Sequence, residues 1–128
     1  MEAQQQSLQS TLADVTILVV EDEAIVSLLL EDMLFDMGST EVLLASDVES
    51  AFGILATRRP DIAVLDVNLA GVSAYPIAER LAAMSVPFVF ATGYGRFGIG
   101  SPWVARPVIQ KPYDMKALRA VLGSALGV

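Results

Sequence analysis

Four separated places in this 128-residue chain carry side chains suited to hard cations and phosphoryl groups. They are the acidic run Glu21-Asp22-Glu23, then Asp66, Thr92 and Lys111. Each ends a mostly apolar stretch: VTILVV before Glu21, IAVL before Asp66, VPFVFA before Thr92 and PVIQ before Lys111. Carboxylates of Glu21, Asp22 and Asp66 brought to adjacent strand ends repel one another unless a cation joins them. Hard oxygen ligands of this kind suit Mg2+, which takes one or two carboxylates directly and keeps several waters. A carboxylate beside such a metal can attack a phosphoryl group and form an aspartyl phosphate. A lysine and a hydroxyl nearby can neutralise and hydrogen-bond the transferred oxygens, because phosphoryl transfer depends mainly on positioning and charge stabilisation. Taken singly, each residue has an ordinary role: helix cap, turn acid, strand-end threonine, solvated lysine. Their joint placement at one edge is what points to chemistry.

The composition closes other routes. The chain has no histidine, which removes Ser-His and Cys-His nucleophilic pairs and imidazole zinc sites. It has no cysteine, hence no disulfide framework and no thiol chemistry. A net charge of −7 opposes binding to a polyphosphate backbone, so no nucleic-acid partner is expected. Hydrophobic residues make up 54%, yet no apolar run reaches the roughly 18 residues that span a bilayer. The excess fits strands buried on both faces, and no membrane association is expected. The polar start MEAQQQSLQSTLAD has no basic region followed by an apolar one, so a cytoplasmic location is expected.

The elements that must position these residues alternate in type. Residues 1–13 are rich in Gln and Ser and read as a tail, and residues 14–128 as one domain. VTILVV (15–20), EVLLA (41–45), IAVLDV (62–67), VPFVFAT (86–92) and PVIQ (107–110) read as strands. Between them, helices are expected over 24–37, closed by Gly38; from Asp47 as cap to about Thr57; and from about Ser73 to Met84. Asp114 caps a last helix with Met115, Leu118, Val121, Leu122 and Ala125 on one side. On the first helix, the spacing assigns Ile25, Val26, Leu29, Leu30, Met33, Leu34 and Met37 to the inward stripe. Leu28 and Phe35 fall opposite, among Ser27, Glu31 and Asp32. Alternating strands and helices imply a parallel sheet with right-handed crossovers, helices on both faces and ligands at the carboxyl ends of the strands.

The motifs LVVEDE, VLDVNLAG, FATG and QKPY, in this order and spacing, resemble the receiver domain of two-component response regulators over residues 14–127. The resemblance implies a flavodoxin-like (βα)5 fold, α/β with a doubly wound parallel sheet in strand order 2-1-3-4-5. It implies Asp66 as phosphoacceptor, Glu21 and Asp22 as Mg2+ acids, Thr92 as switch hydroxyl and Lys111 as phosphate-pairing lysine. Asn68 matches the position whose backbone carbonyl completes the metal site, and Pro112 one where a cis peptide is frequent. Tyr94 matches a position that tunes dephosphorylation. Two departures stand out: Val108 occupies the place of an aromatic switch residue, and DVNLAGVSAYP replaces the usual D-x-x-M-P loop. With PFVFATGYG, they resemble the stand-alone receivers of the FAT GUY type, which keep the threonine and lysine chemistry without the aromatic relay. Transmission through Val108 in the ordinary way is therefore not expected.

With no histidine of its own, the chain then needs a sensor histidine kinase or a histidine phosphotransfer protein as donor. With no room after the last helix for an output domain, the expected output is contact with a downstream protein or onward phosphotransfer. Leu28 and Phe35 are the expected docking residues on the first helix, and Arg96 reads as a solvated charge. Gly93, Gly95, Gly98 and Gly100, then Ser101-Pro102, oppose a regular fourth helix. A weak or short helix is expected there, with residues 93–103 loose without phosphate and partly ordered with it. Two alternatives compete: a phosphate-independent adaptor, and a phosphatase of the haloacid dehalogenase kind. The second lacks its acid–base aspartate, since Asn68 stands two residues after Asp66; the expectation is a signalling domain, not an enzyme.

Overall fold

The structure, a computed structural model, describes residues 12–93, 99–100 and 103–127. Five strands form one parallel sheet: β1 (Thr16–Val20), β2 (Glu41–Ala45), β3 (Ile62–Asp66), β6 (Phe88–Thr92) and β7 (Val108–Gln110). Their order is β2-β1-β3-β6-β7, the expected 2-1-3-4-5 arrangement once two hairpin strands are set aside. Those two, β4 (Asn68–Leu69) and β5 (Val72–Ser73), pair antiparallel directly after β3. Four helices complete the described elements: α1 (Ala24–Asp36), α2 (Val48–Leu55), α3 (Tyr75–Ala83) and α4 (Met115–Leu126).

Strand residues alternate between two cores, as a pleated sheet covered on both faces requires. Ile17, Val19, Ile62, Val64, Val89 and Ala91 face α1 and α4, meeting Leu30, Leu34, Leu118 and Leu122. Leu18, Val20, Ala63, Leu65, Phe88 and Phe90 face α2 and α3, meeting Ala51, Leu55, Ile77 and Leu81, with Trp103. No helix among the described residues is long and apolar enough to cross a membrane.

Local signals set the boundaries. Asp47 caps α2 by accepting from the Ser50 amide, and the Ser50 hydroxyl accepts from the Asp47 amide in return. Asp114 caps α4 through the Ala117 amide. Gly38, at φ 103°, follows α1 in a conformation that other residues resist. The helix expected from Ser73 begins at Tyr75 instead, because Val72 and Ser73 are used in the hairpin; the Ser73 hydroxyl accepts from the Tyr75 amide.

The inward face of α1 differs from the expected stripe. Ser27, Leu30, Leu34 and Met37 are buried, whereas Ile25 and Leu29 are 83% and 53% exposed. The helix is apolar nearly all round, so spacing alone does not choose a face. The small Ser27 turns inward and rotates Ile25 and Leu29 out to join the exposed Leu28 and Phe35. Most of the tail assigned to residues 1–13 lies outside the described residues. Leu12, assigned to that tail, is fully buried against the α1–α4 core, and its amide donates to the Met37 carbonyl. The expectations for Tyr94 and Arg96, and most of the segment 93–103, also lie outside the described residues. Within the described part, Ile99 and Trp103 are buried and Trp103–Ala105 forms one 3-10 turn.

Candidate functional site

Parallel register brings the polar strand ends together. Val20 pairs with Leu65, so Glu21, next after β1, stands beside Asp66, the last residue of β3. Asp66 in turn pairs with Ala91, placing Thr92 one step beyond it on the neighbouring strand. The Lys111 amide donates to the Thr92 carbonyl just past β7. All four residues singled out at strand ends thus reach one edge of the sheet.

Their side chains converge. Lys111 Nζ donates to Glu21 Oε1 at 2.6 Å and to Asp66 Oδ2 at 2.8 Å. The second oxygen of each acid accepts from the backbone: Glu21 Oε2 from the Glu23 amide and Asp66 Oδ1 from the Asn68 amide. Carboxylate oxygens of Glu21, Asp22 and Asp66 lie within 4.8 Å of one another. Glu21, Asp66 and Thr92 are buried, while Asp22 is half-buried. Thr92, Lys111, Asn68 and Tyr75 line the cleft of about 730 Å³ into which Asp66 opens. The Lys111–Pro112 peptide is cis.

The electrostatics follow from burial. Loss of water pushes the Glu21 carboxyl up to about 7; the Lys111 bond opposes this and neighbouring Asp66 adds to it. Burial also disfavours the Lys111 charge, but its bonds to Asp66 and Glu21 outweigh that and raise its pKa. Three carboxylates facing one ammonium leave the pocket two negative charges in excess when all are ionised. That donor set, all hard oxygen with a net deficit of two positive charges, fits a divalent cation such as Mg2+.

Two features were not singled out in the sequence. Tyr75 lines the cleft, packs edge-on against Phe90 with ring centroids 6.0 Å apart, and accepts a hydrogen bond from the Gly100 amide. Its position before Pro76 marks a helix start and gives no sign of that tertiary contact. Val108, where an aromatic residue was the family expectation, is half-buried and pairs with Phe90. The second feature is the β4–β5 hairpin, which the NLAG tetrapeptide suggested only as a loop.

Comparison with known proteins agrees with this geometry. The model of the response regulator receiver domain matches residues 17–123. SdrG from Sphingomonas melonis Fr1 has a solution structure 41% identical in sequence, covering 93% of this chain and 99% of that one, with TM-score 0.79. The receiver domain of Erythrobacter litoralis PhyR is 25% identical, covers 90% of this chain and 92% of that one, and has TM-score 0.79. Among curated proteins, the sensory transduction protein LytT of Bacillus subtilis is 33% identical over 113 residues, which is 83% of this chain and 46% of LytT. The chain spans about half the length of the curated relatives it matches. With its motifs, its parallel five-stranded sheet and its acidic edge in place, the chain belongs to the response regulator receiver domain family.

Proposed function

We propose that Asp66 accepts a phosphoryl group from a phosphohistidine on a separate protein, a sensor histidine kinase or a histidine phosphotransfer protein. The observation that carries this is the Asp66 carboxylate itself. It is buried at a strand end, held by Lys111 at 2.8 Å, and has Glu21 and Asp22 oxygens within 4.8 Å.

In the transfer, an Asp66 oxygen forms a bond to phosphorus as the phosphorus–nitrogen bond breaks. The electron pair of that bond stays with the donor imidazole, which leaves as the neutral ring once protonated. Glu21, Asp22, Asp66 and the Asn68 carbonyl are the groups that would hold Mg2+, and the ion supplies charge neutralisation for phosphoryl oxygens. Lys111, already paired with Asp66, keeps a positive charge where a phosphoryl oxygen arrives. Thr92 opens on the same cleft with a hydroxyl able to donate to another of those oxygens.

The donor site is the outer face of α1. Ile25, Leu28 and Leu29 are exposed near its start, beside the acids, and Phe35 is exposed further along. An apolar stripe next to a phosphoacceptor suits a helical partner presenting a histidine. The signal then leaves by phosphorylation-dependent contact with a downstream protein or by onward transfer, in the cytoplasm where kinase domains work. The test is incubation with acetyl phosphate and Mg2+, followed by intact-mass measurement. Addition of one phosphoryl group, lost in Asp66→Ala and on metal chelation, supports the proposal. An unmodified protein would favour a phosphate-independent adaptor, and turnover of assorted phosphate esters an enzyme.

A further inference from the structure

The β4–β5 hairpin is built so that the Asn68 carbonyl takes no ladder bond among the described residues and lies on the side of its amide, which donates to Asp66. Its register pairs Leu69 with Val72 and Asn68 with Ser73 around a two-residue turn, Ala70-Gly71. In such a turn the flanking pair is the hydrogen-bonded one, and pairs alternate from there. The Ala74 amide donates to the Val67 carbonyl, so the pair beyond Asn68 and Ser73 is again hydrogen-bonded. Asn68 and Ser73 therefore form the intervening pair, whose peptide groups point away from the ladder. The Asn68 amide does so, donating to Asp66 Oδ1 at 3.2 Å. In an extended residue the carbonyl points to the same side as the amide, so the Asn68 carbonyl also turns toward the acid edge without a ladder partner.

Both sides of that carbonyl are anchored. Leu69, on its far side, is 3% exposed and packs in the α2–α3 core. On its near side the Asn68 side chain closes the turn, with Oδ1 accepting from the Gly71 amide at 2.6 Å. Ala70 and Gly71 both have positive φ, 54° and 89°, as a type I′ turn requires. An alanine in that region is uncommon, and the Asn68 bond offsets part of its cost.

We infer that Asn68 is a positioning residue: its carboxamide, by locking the hairpin turn, holds its own backbone carbonyl ready as an oxygen ligand for the divalent cation. The inference rests on the metal-assisted phosphoacceptor reading above. It concerns a side chain that touches neither the cation nor the phosphoryl group, and outer-shell partners of this kind typically contribute about 10–100-fold in metal affinity.

Calorimetric titration with Mg2+ alone, on wild type, Asn68→Ala, Gly71→Ala and the double variant, tests it. Asn68→Ala removes the acceptor; Gly71→Ala strains the turn from the other end, at φ 89°, where an added Cβ meets no neighbouring atom. The expected result is about tenfold weaker Mg2+ binding for each single variant, with the double variant no weaker than the worse single one. Circular dichroism melts confirm that each variant is folded at the titration temperature. Mg2+ binding by Asn68→Ala equal to wild type overturns the inference while leaving the acid site standing. Additive losses in the double variant also overturn it, since two independent effects would be shown. Failure of wild type to bind Mg2+ overturns the metal reading itself, and the inference with it.

Discussion

The two faces of the sheet use different kinds of contact. Toward α1 and α4 the fully buried core is aliphatic, made of Ile, Val, Leu, Ala and Met with Leu12 among them, and its one aromatic neighbour among the described residues is the partly buried Tyr113. Toward α2 and α3 the core is directional. Phe88 meets Phe90 edge-on at 5.5 Å and Trp103 edge-on at 5.7 Å, and Arg106 lies 4.5 Å over the Phe88 ring. Tyr75 adds its contacts to Phe90 and Trp103 and its hydrogen bond from Gly100. By strand parity Thr92 follows Phe88 and Phe90 onto this second face. Aliphatic packing fixes position with little dependence on orientation, whereas edge-on rings and a phenol hydrogen bond have defined geometry. One face is thus a platform for the acids, while the other couples the threonine strand to Gly100 and Trp103.

The largest expected effect probes the platform. Leu34→Ala should cost about 3 kcal/mol in urea unfolding, the usual range for a buried leucine. Emission of Trp103, on the opposite face, should stay unchanged in the native state. A shift in native emission would blur the distinction between the faces.

Next comes the pocket that the two faces share. Glu21 has its carboxyl raised from 4.5 to about 7 by burial. The folded state therefore holds a proton that the unfolded state has released between those values. Stability from this group is complete below about pH 4.5 and is lost as pH rises through about 7. A rise from 4.5 to about 7 corresponds to about 3 kcal/mol, which solvent screening in the partly wetted pocket reduces to about 2 kcal/mol. In metal-free protein, Glu21→Gln should flatten this decline between about pH 5 and about pH 8. An unchanged slope in urea unfolding would contradict the buried acid.

A smaller effect tests the directional face. Tyr75→Phe keeps the ring and removes the acceptor for the Gly100 amide, costing about 1 kcal/mol. Unlike Leu34→Ala, it should shift native Trp103 emission, because Tyr75 lies 6.5 Å from that ring. Equal spectra for Tyr75→Phe and wild type would remove the contrast. The smallest effect lies on the outside of the platform. Leu28→Ser with Phe35→Ser should slow transfer from a phosphohistidine donor several-fold and leave acetyl phosphate labelling unchanged. Slowing of both reactions alike would point to damage of the site.

Much of this was legible in the residues. Continuous apolar runs ending in a polar residue gave the strands, and their shared ends gave Glu21, Asp22, Asp66, Thr92 and Lys111 one edge. Caps at Asp47 and Asp114 and the stop at Gly38 were local signals, satisfied within three residues, and they hold. What escaped depends on tertiary choice. The face of α1 was misassigned at Ile25, Leu29 and Ser27 because apolar residues surround that helix and only the sheet beneath selects a side. The hairpin after Asp66 escaped because alanine, not asparagine or aspartate, precedes glycine in its turn. Tyr75 escaped because its partners, Phe90, Gly100 and Trp103, are 15 or more residues away in sequence.

The central claim is that the Asp66 carboxylate becomes an acyl phosphate. Borohydride reduces an acyl phosphate to the alcohol, turning the labelled aspartate into homoserine at that position. After phosphorylation with acetyl phosphate and Mg2+, reduction and peptide mapping should place homoserine at position 66. Loss of that product in Lys111→Ala, where the ammonium bridging Asp66 and Glu21 is gone, would agree with the geometry. Homoserine at position 22, a reduced Glu21, or no reduced residue at all would contradict it.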